Sequence, residues 1–83
     1  MGIANRILPS EAVSAAPRVI LEGRTALLIE QHRGILGYTE AEAVVRMKEG
    51  LLRVRGEGLC IACYDADQVM IEAARIDALE FRA

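Results

Sequence analysis

The 83-residue chain has no tryptophan, one phenylalanine (Phe81) and two tyrosines, Tyr38 and Tyr64. Proteins that grip single-stranded nucleic acid stack bases on aromatic side chains, and three scattered rings do not build that platform. A basic surplus is missing too. Ten Lys and Arg stand against twelve Asp and Glu, a net charge of −2, where a nucleic-acid binder usually carries excess positive charge. His32 is the only histidine, and Cys60 and Cys63 are the only cysteines. Together they fall short of the four ligands of a structural zinc site. No Ser-His-Asp or Cys-His pair is suggested by local spacing. The phosphate loop G-x-x-x-x-G-K-[ST] is absent, since Gly34-Ile35-Leu36-Gly37 has no lysine after it. No apolar run approaches the length of a membrane span, and the first eight residues lack the apolar stretch of a secretory signal. A soluble, cytoplasmic, non-enzymatic protein without cofactor or metal is expected, one that does not insert into a membrane and meets it only through a partner.

What the chain does have is apolar content, 53% hydrophobic residues with 27% charged. That is too apolar for disorder. The length allows one domain, which buries about 60–65% of its unfolded surface and so has a thin core. The first 17 residues differ in texture from the rest. Ile3, Ile7 and Leu8 fall at near-helical spacing, Pro9 breaks the run, Ser10 can cap a short turn, and Pro17 ends it. Residues 1–17 read as a short helical arm, with a frayed terminus as the alternative.

From Arg18 onward, short apolar runs alternate with glycine or acidic turns, the pattern of strands. Strands are expected at Val19–Glu22, Ala26–Gln31, Arg33–Tyr38, Ala43–Met47 and Leu51–Arg55, then around Leu59–Cys63, Val69–Ile71 and Ile76–Phe81. Thr39 to Met47 can also be read as helical, because Thr39-Glu40-Ala41-Glu42 resembles a helix start; turn then strand is preferred. Ile76 and Leu79 are three apart, so a β-bulge near Asp77-Ala78 is needed to keep both on one face. Leu21-Glu22-Gly23 and Val54-Arg55-Gly56 form a weak internal echo that would favour two similar half-sheets. The expected fold is all-β, a small sandwich or partly closed barrel of about six to eight short strands, with a short β-solenoid as the alternative. Val19, Leu21, Leu27, Ile29, Leu52, Val54, Leu59, Ile61, Val69, Ile71, Leu79 and Phe81 are the expected core. Leu28, Leu51 and Met70 are sent outward by strand period, which asks for a second cover and points toward self-association.

Cys60 and Cys63 sit three strand steps apart, roughly 10 Å, with their side chains on opposite faces, and read as buried structural thiols. Arg46, Arg53 and Arg55 can form an outward basic stripe, expected to pair with Glu residues across strands. Left unpaired, that stripe would favour a second reading, a small β-barrel binding nucleic acid or a small ligand. The densest polar cluster beside an apolar strand is Glu30-Gln31-His32-Arg33-Gly34. One reading is polar residues pairing across a turn. The other is a recognition patch, with His32 and Arg33 as donors to an acidic partner.

The chain resembles the YabP/YqfC family of sporulation proteins, its YqfC branch most. The resemblance runs through Leu8-Pro9, Pro17-Arg18-Val19, Leu21-Glu22-Gly23, Leu28 to Leu36, Tyr38-Thr39, Gly50-Leu51-Leu52, Val54-Arg55-Gly56, Leu59-Cys60-Ile61 and Ile76 to Phe81. It covers about nine-tenths of the chain, and I-E-x-H-[KR]-G-I is its most specific part. Two positions depart from the usual pattern: Gln31 stands where Asn is usual, and Ala74 where Gly is usual in the last turn. The resemblance implies a non-catalytic factor of endospore formation in the mother cell, acting at the forespore envelope with a membrane protein of the YqfD type. Homo-oligomers are also expected. Residues 18–83 form the expected β domain, and Glu30, His32, Arg33, Gly34 and Tyr38 are the expected contact residues. Alanine at His32 and Arg33 together is expected to leave folding intact.

Overall fold

The computed structural model describes residues 17–83; the expected helical arm lies, apart from Pro17, outside the described residues. Eight strands follow in order: β1 (Arg18–Glu22), β2 (Ala26–Glu30), β3 (Ile35–Tyr38), β4 (Glu42–Met47), β5 (Gly50–Glu57), β6 (Cys60–Tyr64), β7 (Gln68–Glu72) and β8 (Arg75–Arg82). They form two four-stranded antiparallel sheets, β1-β2-β7-β6 and β3-β4-β5-β8. Among the described residues each sheet ends in two strands paired on one side only, so the architecture is a sandwich and neither a closed barrel nor a solenoid. No helix occurs among the described residues, and Thr39 to Met47 is a turn followed by β4.

The chain crosses between sheets after β2, β5 and β7. The internal echo therefore has no structural counterpart: β1 and β2 are hairpin neighbours in one sheet, whereas β5 and β6 lie in different sheets.

Alternation explains the core. In the first sheet Leu27 lies opposite Ile71, and Ile29 opposite Val69. In the second, Ala43 lies opposite Val54, and Val45 opposite Leu52. All eight are buried, together with Met47, Leu59 and Ile76. Each large aliphatic side chain so buried stabilises the fold by about 1.5–3 kcal/mol relative to an exposed one. The four inner strands supply most of this core because sheets cover both flanks of their inward residues.

The edge strands do worse, and here the sequence expectation needs correction. Val19, Leu21, Leu79 and Phe81 are exposed, Phe81 by 63%. Their parity is as expected: Val19 and Leu21 lie opposite Ile29 and Leu27, and Leu79 and Phe81 opposite Val54 and Leu52. They belong to β1 and β8, however, two edge strands that part around an open groove lined by Leu21, Ile76, Ala78 and Leu79. Ala43, Val45, Met47 and Ile76 take the places expected for them. Leu28, Leu51 and Met70 face outward and are half-buried.

Three bulges shape the sheets. Arg55 pairs with Ala78 and Gly56 with Ile76, so Asp77 is the extra residue that the Ile76-to-Leu79 spacing requires. Leu36 is the extra residue of β3. Ala62 is the extra residue of β6, because Ile61 pairs with Ile71 and Cys63 with Met70. That last bulge corrects the cysteine reading. With one residue looped out, Cys60 and Cys63 stand opposite Glu72 and Met70, two steps apart on β7, and so share the outer face. Both are exposed free thiols. Cys63 is thus separated from Ile61, which packs against the core.

A clasp at one end of the sandwich

The segment from Glu30 to Tyr38 carries the chain from the first sheet to the second, and its polar groups are spent in doing so. Glu30, half-buried at the end of β2, holds Arg18 of β1 in an ion pair at 2.8 Å. The N–H of Gln31 donates to the Asp67 carbonyl at 2.6 Å, tying the crossover to the β6–β7 turn. Arg33 N–H donates to Arg46 O at 2.7 Å, and Arg46 N–H donates back to Gly34 O at 2.8 Å, tying it to β4.

His32 is the centre of this clasp. It is 5% exposed and the only buried polar side chain among the described residues. Gly34 N–H donates to Nδ1 at 2.9 Å. Nδ1 must then be the acceptor, so Nε2 carries the proton and donates to the Asp65 carbonyl at 2.9 Å. The ring packs on Tyr64, centroids 5.2 Å apart and tilted by 34°. Both nitrogens are thus engaged inside the protein. A buried polar group is tolerated only when it is so satisfied. The expectation that alanine at both His32 and Arg33 leaves folding intact is at odds with this geometry at His32.

The backbone bends sharply to allow this. Gly34 has φ +118°, a conformation open to glycine and not to residues with a Cβ. Gln31 has φ +62° and is the one non-glycine residue with positive φ among the described residues. Asn and Gly tolerate this left-handed region better than Gln. Gln31→Asn is expected to raise stability by about 0.5–1 kcal/mol in urea denaturation. Ala74, by contrast, has no positive φ; its N–H donates to Glu57 O at 2.9 Å, so alanine suits that turn in this chain.

Asp65 builds the other half of the clasp. Its Oδ1 accepts the N–H groups of Asp67 and Gln68, each at 2.8 Å. These two backbone hydrogen bonds are the main reason its carboxyl is held below the ordinary value of 3.8. A depressed folded pKa means the bonds stabilise the protein above the unfolded-state pKa and are lost as pH falls through the lower folded value. Asp65→Asn is expected to flatten the fall in stability below about pH 4, read from urea midpoints against pH.

Tyr38 lies away from this cluster. Its hydroxyl donates to Leu59 O at 2.7 Å, and Leu59 N–H donates to Glu40 O at 2.8 Å. It closes the opposite end of the crossover strand. Of the five expected contact residues, Glu30, His32, Gly34 and Tyr38 thus have internal bonds. Arg33 is exposed, and its guanidinium makes no ion pair or hydrogen bond among the described residues.

The basic stripe on the outer face of the second sheet is interrupted. Arg53, its middle member, has Nε 3.0 Å from Glu42 and Nη1 3.8 Å from Glu80. The Nε contact is ionic without a well-aligned hydrogen bond. Across the sheet Arg55 stands opposite Glu42, and Arg46 opposite Leu51. Among the described residues no three His, Cys, Asp or Glu side chains gather as metal ligands, and no helix is long and apolar enough to cross a membrane.

The chain is 27% identical over 74 residues to a protein of Bacillus subtilis (strain 168) named Uncharacterized protein YqfC, covering 89% of this chain and 78% of that protein. The sequence profile of the YabP family matches residues 14–83, which takes in all eight strands and the whole clasp. The chain belongs to the YabP family.

Proposed function

We propose that this chain is a non-catalytic interaction module of endospore formation, acting in the mother cell at the forespore envelope. Its partner in this reading is a membrane protein of the YqfD type. The observation that carries the reading is Arg33. The clasp around His32 ties the crossover to both sheets, and the Arg33 guanidinium is exposed and makes no ion pair or hydrogen bond among the described residues. A pre-positioned arginine is suited to bidentate capture of a carboxylate, because the fork loses little entropy on binding. In this reading Glu30, His32, Gly34 and Tyr38 serve the contact by holding the crossover in shape, and Arg33 makes it. Membership of the YabP family supports the setting.

The test is genetic. In a spore-forming host whose own copy is replaced, Arg33→Ala is expected to accumulate to wild-type level and still reproduce most of the loss of heat-resistant spores caused by deleting the gene. Wild-type spore counts with Arg33→Ala would overturn the assignment of Arg33.

A further inference from the structure

Four strands lie at sheet edges: β1, β6, β3 and β8. Three of them carry a bulge, at Ala62 in β6, Leu36 in β3 and Asp77 in β8. Bulges twist an edge away from further pairing. β1 alone keeps unbroken register along its whole length. It is also exposed at all five residues, with no Pro, Gly or Lys inside it. Among the described residues, by the rules that keep edges from pairing, β1 is the unguarded edge.

Its sequence is self-complementary. Arg18-Val19-Ile20-Leu21-Glu22 run antiparallel to a second copy, centred on Ile20, sets each Arg18 opposite a Glu22 and each Val19 opposite a Leu21. Opposite charges facing across antiparallel strands stabilise the pair, and like charges oppose it. Val19 and Leu21 are the inward-parity residues of β1 that the sandwich leaves uncovered, and Leu21 shares the open groove with Leu79. A second copy placed there extends the sheet over the groove. Pro17, which has no N–H to give, ends the pairing at Arg18.

We propose that the chain forms a two-fold dimer through β1 against β1 of a second copy, joining two four-stranded sheets into one continuous sheet. The contact is isologous, so the same five residues serve both sides and the assembly closes at two. It rests on the reading of the chain as an interaction module, and it can fail separately from it.

The experiment is a charge swap on the full chain, read by sedimentation equilibrium across a concentration series with far-UV circular dichroism as the fold control. Wild type is expected to sediment at twice the 9.1 kDa monomer mass. Arg18→Glu and Glu22→Arg each set like charges opposite one another at both ends of the pairing. Each is expected to weaken self-association by roughly tenfold or more. Because Arg18 also pairs with Glu30 of its own chain, the rescue variant is Arg18→Glu/Glu22→Arg/Glu30→Arg, which restores the opposite-charge pairs between copies, keeps the pair within the chain, and is expected to recover most of the affinity. A dimer insensitive to both single swaps would place the interface elsewhere and overturn the proposal. A wild-type monomer at all concentrations would overturn it as well. A monomer still captured by the membrane partner would end the dimer and leave the module reading standing.

Discussion

Gly56→Ala is expected to cost about 3 kcal/mol, a large share of the stability of so small a domain. Gly56 lies in β5 opposite Ile76, at the step where Asp77 bulges out of β8. A Cβ there would run into the Arg75 carbonyl oxygen and come within 3.0 Å of the Ile76 Cα. Both obstacles are backbone, so no side-chain rotation relieves them. β8 would have to move off β5, dragging the buried Ile76 with it. Gly37 supplies the control. A Cβ at Gly37 meets nothing within 4 Å and its φ is ordinary, so Gly37→Ala is expected to change stability by less than about 0.5 kcal/mol. Urea midpoints of the two variants at equal m-value settle the contrast; equal losses would contradict the close-approach argument.

The second large effect is at His32. His32→Ala leaves the Gly34 N–H and the Asp65 carbonyl without their partner and removes the ring from Tyr64. Unsatisfied buried groups and the lost packing together predict a loss of about 3 kcal/mol. Two isosteres divide the effect. Asn carries an acceptor where Nδ1 accepts from Gly34, and Gln reaches with a donor toward the position from which Nε2 meets Asp65. Each is expected to lose roughly half as much as alanine. Arg33→Ala, next to it in sequence, is expected to change stability by under about 0.5 kcal/mol. If His32→Ala were equally mild, the clasp would not be what holds the crossover.

Much of this fold was legible in the chain because strand period is local. Leu52 and Val54 announce their face by alternation with Arg53 and Arg55, and glycine and acidic turns mark where strands stop. The Asp77 bulge was legible for the same reason: the Ile76-to-Leu79 spacing cannot satisfy one face without it. What alternation does not encode is where a strand sits within its sheet. Val19, Leu21, Leu79 and Phe81 have the right parity and still lie exposed, since edge position depends on pairing between residues distant in sequence. The Ala62 bulge was hidden too. Leu59-Cys60-Ile61-Ala62-Cys63 reads as a regular strand, and nothing local shows that Cys60 and Cys63 come to one face.

The clasp divides in the same way. The motif Glu30 to Gly34 stood out as a polar cluster beside an apolar strand, and it lies at one structural centre. Its residue types did not disclose that His32 points inward while Arg33 points outward. That depends on Asp65, a residue more than thirty positions away, whose carbonyl receives the imidazole proton. Gln31 was a closer miss. An amide side chain before the histidine hints at a left-handed residue, and Asn would have made the hint plain.

The central claim is that the clasp exists to present Arg33 to an acidic partner. The most direct measurement is the affinity of the purified full chain for the YqfD-type membrane protein in detergent, comparing wild type with Arg33→Glu at matched thermal stability. Binding is expected to weaken by at least tenfold, about 1.4 kcal/mol, with the difference shrinking as salt is raised. Equal affinity of the two proteins at low salt would contradict it.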